Sequence, residues 1–280
     1  MQSLKIKANA KINLSLSVLG KRADGYHELD TVMQSISLND TVYIEKSDKI
    51  TVECGEFGGE DNIAFKTAEA FFKVTGINAG AAIRIEKRIP SAAGMGGGSA
   101  DAAAVLVGLD RLYQTELSYE KLLNIAVKLG ADVPFLIRGG TSRARGIGEV
   151  LELLSPLSGC YFLIAKGEEK PSTGEMFSRL DSAEYNKPDI EKTALALNSG
   201  DFPAVLASVD NSFAALWRES PVKAELLKSK ADAVSLSGSG PAWFAVYLDK
   251  DRATAAEKSL KELNIPCFLC TPENKSLIFE

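Results

Sequence analysis

The sequence predicts an α+β protein, and three observations carry that reading. The first eighteen residues alternate with period two. Leu4, Ile6, Ala8, Ala10, Ile12, Leu14, Leu16 and Val18 hold the even positions, and lysine, asparagine or serine the odd ones from Lys5 to Ser17. That is the pattern of a β-strand with one buried face. A glycine-rich run over residues 89–99 lies between a strand pattern and an alanine-rich helix pattern. Strands and helices then mix without strict alternation, which favours α+β over a doubly wound sheet.

The elements follow in order. Residues 4–18 are long for one strand, so a break inside it is expected. Lys11 and Asn13 share its polar face, aimed at solvent or at a cleft. Residues 20–25 form a turn containing Asp24-Gly25. Ile36, Leu38, Val42 and Ile44 alternate on either side of Asn39-Asp40 and read as a hairpin. Asp61 or Asn62 caps a helix bearing Ala64, Ala68, Phe71 and Phe72, closed by Gly76. Ala81, Ile83 and Ile85 form a strand, the glycine run follows, and a helix spans about 99–113. Ser118 caps another helix, closed by Gly130, and Ala131-Asp132-Val133-Pro134 leads into a short apolar stretch. Beyond an interruption near Pro156, residues 188–198, 201–217, 220–230 and 251–263 read as helices. Residues 233–237, 242–248 and 265–270 read as strands. The division expected is residues 1–155 and 156–280.

Composition narrows the function. The 280 residues are 45% apolar and 25% charged, with a formal net charge of −5, so the chain can bury a full core. The acidic balance argues against a nucleic-acid partner. The longest apolar runs, 102–109 and 241–248, are too short to span a membrane. The lysine-studded start does not read as a signal peptide. Four cysteines in a chain this long indicate a reduced, cytoplasmic protein. Cys267 and Cys270 form a C-x-x-C, but three-residue spacing in a strand sends side chains to opposite faces, and no His completes a metal site.

The strongest chemical signal is Pro90-Ser91-Ala92-Ala93-Gly94-Met95-Gly96-Gly97-Gly98-Ser99. Glycines let backbone N–H groups approach a ligand, and the following helix adds free N–H groups and a positive dipole end. The combination suits a phosphate. It lacks the Gly-Lys-Ser/Thr of a Walker loop, and no β-α-β unit surrounds it as in a dinucleotide fold. The cation must come from elsewhere, Lys11 and Mg²⁺ being the obvious sources. Asp132 reads as a base or orienting acceptor for a hydroxyl, or as a turn residue. Ser237-Gly238-Ser239-Gly240 is a small-residue turn that would form the opposite wall of one cleft. His27 is the only histidine, with Tyr26 beside it.

Three blocks in order, Ala10-Lys11-Ile12-Asn13-Leu14, residues 90–103 and Ser237-Gly238-Ser239-Gly240-Pro241, resemble the three motifs of the GHMP kinases. Two more, Gly20 to Leu29 and Leu129 to Phe135, resemble the branch whose substrate is a cytidine diphosphate ester of methylerythritol. The resemblance implies a two-domain kinase fold. The N-terminal domain would be like ribosomal protein S5 domain 2, the C-terminal domain ferredoxin-like, and the cleft between them. It implies Lys11 and Asp132 as the catalytic pair. Residues 90–99 would wrap the phosphates of ATP, with Asn62 near the adenine. Asn13, Tyr26, His27 and Phe177 would line the alcohol's pocket, and Ser237 to Gly240 its polyol end. Mg²⁺ would ride mainly on the nucleotide, because the acidic metal ligand usual in the superfamily is not evident; Asp101 is a candidate contributor. Two departures are Ser91-Ala92-Ala93 in a usually glycine-richer stretch, and Met95 in place of leucine. The implied partners are small molecules only, with no membrane, in a monomer or weak homodimer. Competing readings are another GHMP kinase, a ligand sensor on the same fold, and an RNA binder.

Overall fold

The computed structural model describes residues 2–167 and 169–280. Two long strands, β1 (Ser3–Lys21) and β2 (His27–Ser47), pair antiparallel along nearly their whole length and organise the first sheet. The expected break in β1 takes the form of three register shifts, at Asn9/Lys11, Asn13/Ser15 and Val18/Gly20. Such bulges bend a strand and re-aim its side chains, and the first two flank Lys11 and Asn13. The even face of β1 serves two cores: Leu4 to Leu14 lie in the larger one, Leu16 and Val18 in the smaller. One strand therefore crosses from one packed body to the other.

Asn39-Asp40 is not a hairpin turn, because β2 runs straight through it. Asp40 is fully buried. Its carboxylate accepts the backbone N–H groups of Arg88 (2.5 Å) and Ile89 (2.8 Å) and pairs with Lys87 (2.5 Å). A turn there would leave those donors without an acceptor.

The first body continues with β3 (Thr51–Glu53), α1 (Ile63–Thr75), β4 (Gly80–Glu86), α2 (Gly97–Tyr113), α3 (Tyr119–Leu129), α4 (Val133–Arg138), β5 (Thr141–Gly146) and β6 (Val150–Leu153). Asn62 is the N-cap of α1, accepting from the N–H of Ala64 at 2.8 Å, and Gly76 closes the helix. Ser118 caps α3. Helix α2 starts two residues before the expected 99 and is buried on nearly every side. Its alanines bring it close to the sheet. At Gly108 a Cβ would stand 2.5 Å from Ile44 Cδ1 and 2.7 Å from Ile6 Cδ1. That close seating fixes where the N-terminus of α2, and the glycine loop before it, must lie.

The second half of the chain holds β7 (Tyr161–Lys166), α5 (Thr173–Asp181), α6 (Ile190–Ser199), α7 (Phe202–Ala207), a 3₁₀ segment (Ser212–Trp217), α8 (Pro221–Lys228), β8 (Ala233–Leu236), β9 (Ala242–Tyr247), α9 (Lys250–Glu262) and β10 (Cys267–Cys270), with α6 and α7 packed into the larger core. Its sheet has the order β10-β7-β9-β8, all antiparallel. Numbered within the sheet that is fourth, first, third, second, the ferredoxin-like arrangement. Residues 201–217 are not one helix. The chain breaks after Ala207 because Asn211 is needed elsewhere: its amide donates to the carbonyls of Leu236 (2.8 Å) and Gly238 (2.9 Å). The last strands, β11 (Pro272–Glu273) and β12 (Leu277–Phe279), return to the first sheet, on β2 and β1. Cys267 and Cys270 do point opposite ways, one into each core, as free buried thiols.

Candidate active site

Three cavities run in series along the seam between the two bodies. The largest, about 760 Å³, is lined by residues 89–99 together with Asn62, Lys87, Asp101, Asp132, Lys170 and Thr173. The next, about 380 Å³, shares Gly94, Ser99, Asp132 and Thr173 with it and adds Lys11, Asn13, Thr31, Gly238 and Ser239. The third, about 400 Å³, is walled by Tyr26, His27, Thr173 and Phe177.

The glycine loop is held from behind. The carbonyl of Ala93 accepts from the N–H of Ala242 (3.3 Å), that of Gly94 from the hydroxyl of Ser237 (2.9 Å), and that of Met95 from the N–H of Lys11 (3.0 Å). In a trans peptide the C=O and the next N–H point opposite ways. With three successive carbonyls turned into the protein, the N–H groups of Gly94, Met95 and Gly96 are turned away from it. Gly94 (φ 79°) and Gly96 (φ 70°) adopt the left-handed conformation this requires. The result is a concave set of amides leading into the N-terminus of α2, a cradle for phosphate oxygens. Met95 is buried beneath it, so the larger side chain fills the core and leaves the cradle open.

At the junction of the first two cavities stand Lys11 and Asp132. Lys11 is 3% exposed, yet its ammonium has two partners: Asn13 Oδ1 at 2.7 Å and Asp132 Oδ2 at 3.3 Å. The polar face of β1 therefore looks into a cleft. Asn13 in turn donates to the hydroxyl of Thr31 (2.9 Å), which donates to the carbonyl of Ser15 (2.7 Å). This chain fixes the orientation of the Asn13 amide and so the position of the ammonium. Asp132 occupies the N-cap position of α4 without capping it, which leaves its carboxylate free for the cleft.

In the third cavity the rings of His27 and Phe177 stack, centroids 4.5 Å apart and 21° between planes. His27 Nε2 lies 2.7 Å from Asp181 Oδ1, and that hydrogen bond holds the Asp181 carboxyl below its ordinary range. Phe213 packs edge-on against Phe177. Tyr26 is 60% exposed at the rim. The stacked pair presents a flat apolar wall with polar edges, suited to a planar heterocycle.

The structure thus brings together Lys11, Asp132, Asn13, residues 90–99, Asn62, Tyr26, His27, Phe177, Gly238 and Ser239 around one cleft. Ser237 and Gly240 stand behind it. Ser237 bonds the glycine loop, and Gly240 packs on the Trp217 indole, where a Cβ would meet ring atoms at 2.9 Å. Two cationic features escape sequence reasoning. Lys87, from the Glu86-Lys87-Arg88 run before the loop, bridges Asp40 and Asp101 at 2.5 and 2.6 Å. Burial, with Asp40 nearby, pushes the Asp101 carboxyl up to about 7 against the pull of Lys87. Asp101 Oδ2 is therefore held in an internal cluster, while Oδ1 has no partner among the described residues. Lys170 donates to Ser239 Oγ at 2.5 Å and Thr173 Oγ1 at 3.3 Å. The only hint of it in the sequence is its place just ahead of the Ser172 cap of α5.

A glycine cradle at a helix N-terminus, joined to a lysine–aspartate pair at an alcohol-sized pocket, defines a small-molecule kinase. Comparison with known proteins agrees. Residues 62–140 match the model of the GHMP kinases N terminal domain. A 4-diphosphocytidyl-2-C-methyl-D-erythritol kinase of Alkaliphilus metalliredigens is 40% identical over 275 residues, 94% of each chain. A crystal structure of a 4-(cytidine 5'-diphospho)-2C-methyl-D-erythritol kinase matches with a TM-score of 0.80 at 32% identity, over 96% of this chain and 98% of that one. A homoserine kinase of Cytophaga hutchinsonii has the same TM-score, 0.80, at 20% identity, covering 100% of this chain and 98% of that one, and shares the fold. The chain belongs to the GHMP kinases, in the family of the first two relatives.

Proposed function

We propose that this kinase transfers the γ-phosphoryl group of ATP to the 2-hydroxyl of 4-diphosphocytidyl-2-C-methyl-D-erythritol, giving the 2-phosphate and ADP, a step of isoprenoid precursor synthesis by the methylerythritol phosphate route. The supporting observation is the order of the three cavities: phosphate cradle, Lys11–Asp132 pair, aromatic wall. That order matches the order of groups in a nucleotide, an acceptor hydroxyl and a cytosine.

In this reading the amides of residues 94–99 hold the ATP phosphates, and Asn62 lies toward the base. Asp132 accepts the proton of the acceptor hydroxyl, or orients it, as the oxygen forms its bond to phosphorus and the bond to the ADP oxygen breaks. Lys11 stabilises the transferring group, whose loose transition state asks mainly for positioning and positive charge. Asn13, Gly238 and Ser239 face the polyol, Ser237 and Gly240 support their loop, and Tyr26, His27 and Phe177 receive the cytosine. Among the described residues no group of three His, Cys, Asp or Glu side chains is placed to hold a metal ion. In this reading Mg²⁺ would arrive on the nucleotide and neutralise phosphate charge. We further propose domains at 1–155 and 156–280, with β11 and β12 returning across the boundary, and a cytoplasmic monomer or weak homodimer. No helix among the described residues is long and apolar enough to cross a membrane.

The test is ADP release with Mg·ATP and four acceptors: the cytidylyl substrate, its polyol phosphate without cytidine, homoserine and mevalonate. Turnover confined to the first, and lost in Asp132→Asn, supports the proposal. Turnover with homoserine or mevalonate instead overturns the substrate, and turnover retained in Asp132→Asn overturns the role of that residue.

A further inference from the structure

The cations of the cleft are not equivalent. Lys11 is paired with Asp132, and Lys87 is shared between Asp40 and Asp101. Lys170 also lines the phosphate cavity, and among the described residues no carboxylate lies within ion-pair distance of it. Its ammonium is held by two hydroxyls, Ser239 on the third-motif loop and Thr173 at the start of α5. Hydroxyls fix a direction but do not neutralise a charge. A partly buried ammonium without a counter-ion is destabilised relative to water. Burial and, second, the charge of Lys11 pull Lys170 down to about 8. An anion entering the phosphate cradle would offset both the burial of Lys170 and its repulsion by Lys11.

We propose that Lys170 is a second cationic ligand of the terminal phosphate of the bound nucleotide, acting across the cleft from Lys11 and joining the third-motif loop to the phosphate cradle. This rests on the nucleotide half of the function proposed above and is independent of which alcohol accepts the phosphoryl group. It also supplies positive charge at the transfer point. The location follows from the lining: Lys170 borders the cavity of residues 89–99, and not the one that holds His27 and Phe177. The anion it meets is therefore the nucleotide's.

The charged groups that share the cleft with Lys170 are Lys11 from β1, Asp132 before α4, Lys87 after β4, Asp101 from α2, and Glu56 and Asp61 before α1. Lys11 with Asp132, and Lys87 with Asp101, stand in opposite-charge pairs, whereas the carboxylates of Glu56 and Asp61, which line the same cavity, have no ion-pair partner among the described residues. An alkaline titration of nucleotide binding should accordingly belong to Lys170. The experiment is calorimetric binding of a non-hydrolysable ATP analogue and of ADP, both with Mg²⁺ and no acceptor, to the wild type, Lys170→Met and Lys170→Arg. At neutral pH the Met variant is expected to bind the analogue roughly tenfold or more weakly, and ADP within about twofold. Above about pH 8 wild-type affinity for the analogue should fall, levelling off at about the roughly tenfold loss of the Met variant. The Met variant should lack that fall. The Arg variant should keep near-wild-type affinity and also lack the fall, because guanidinium does not deprotonate there. Equal losses for ADP and analogue, or an alkaline fall unchanged in Lys170→Met, would overturn the proposal. Failure of the wild type to bind either nucleotide would overturn the kinase reading with it. Binding that behaves as expected, with no turnover of the cytidylyl substrate, would leave Lys170 in place and remove only the proposed acceptor.

Discussion

Gly94 is where the glycine loop and the third-motif loop touch, and replacing it with alanine tests the architecture of the cleft. Two penalties add. The residue has φ 79°, and alanine pays about 1–2 kcal/mol in the left-handed region. The new Cβ would stand 2.2 Å from the carbonyl oxygen of Ser237 and 3.2 Å from that of Gly240. The nearest obstacle is backbone, so the loops must separate by about an ångström, at a strain of about 1–3 kcal/mol. The sum, about 2–5 kcal/mol, corresponds to a fall in Tm on the order of 5–15 °C for a chain of this size. Separation also moves the amides relative to Lys11, and a misplacement of about 1 Å costs about 100-fold in rate. Gly98→Ala is the control. Its Cβ would meet only Ile63 Cγ2, at 3.7 Å, in ordinary contact. It should melt within about 1 kcal/mol of the wild type and raise KM for ATP by about tenfold, if its bare backbone admits a phosphate. Differential scanning calorimetry and ADP release measure both. A Gly94→Ala protein that melts and turns over normally, or a Gly98→Ala protein that loses as much stability, would refute the packing argument.

Four further outcomes are expected. Lys11→Met should lower kcat by about 100-fold or more and destabilise the protein by about 1–3 kcal/mol, because the buried Asn13 Oδ1 loses its donor and Asp132 its ion-pair partner; rate and melting measure the two. Phe177→Leu should raise KM for the cytidylyl substrate by about tenfold, the worth of one stacking face, with KM for ATP unchanged. Asp40→Asn should destabilise the protein by about 3 kcal/mol in a denaturant titration, because Lys87 and two backbone donors lose a buried charged partner. Burial pushes the thiols of Cys160 and Cys270 up to about 12, so both should stay protonated and unreactive toward a maleimide near pH 8 until the protein is unfolded; labelling of either in the native state would contradict their burial.

What the sequence revealed and what it hid have physical causes. Period-two alternation exposed β1, and glycine with alanine exposed the cradle and α2, because those patterns report backbone geometry directly. Asn39-Asp40 misled because a buried acceptor and a turn former are the same residue types in a local window. Only the distant partners Lys87, Arg88 and Ile89 decide between them. Asn211 broke an expected helix for the same reason, its partners lying 25 and 27 residues away. Strands β5, β6 and β7 and helix α5 carried no pattern strong enough to read. Lys170 was illegible because a lysine's chemistry depends on whether a carboxylate faces it, and no spacing rule reports that.

The backbone of the cleft is anchored by two remote segments at once, β1 and the β8–β9 hairpin. Lys11 on β1, Ser237 on the third-motif loop and Ala242 on β9 take up the carbonyls of Met95, Gly94 and Ala93 in turn. Two of these anchors sit on the β8–β9 hairpin and one on β1, so the amides opposite those carbonyls are aimed by both sheets rather than by the loop. The same β1 peptide that holds Met95 carries the Lys11 side chain to Asp132. Cradle and Lys11–Asp132 pair are thereby set at a fixed separation, and the proposed transfer, which needs positioning more than covalent chemistry, would receive it from hydrogen bonds made before any ligand arrives. Loosening any one anchor should therefore disturb phosphate binding and transfer together, whereas changes at the His27–Phe177 wall should leave both intact and alter only which alcohol is held.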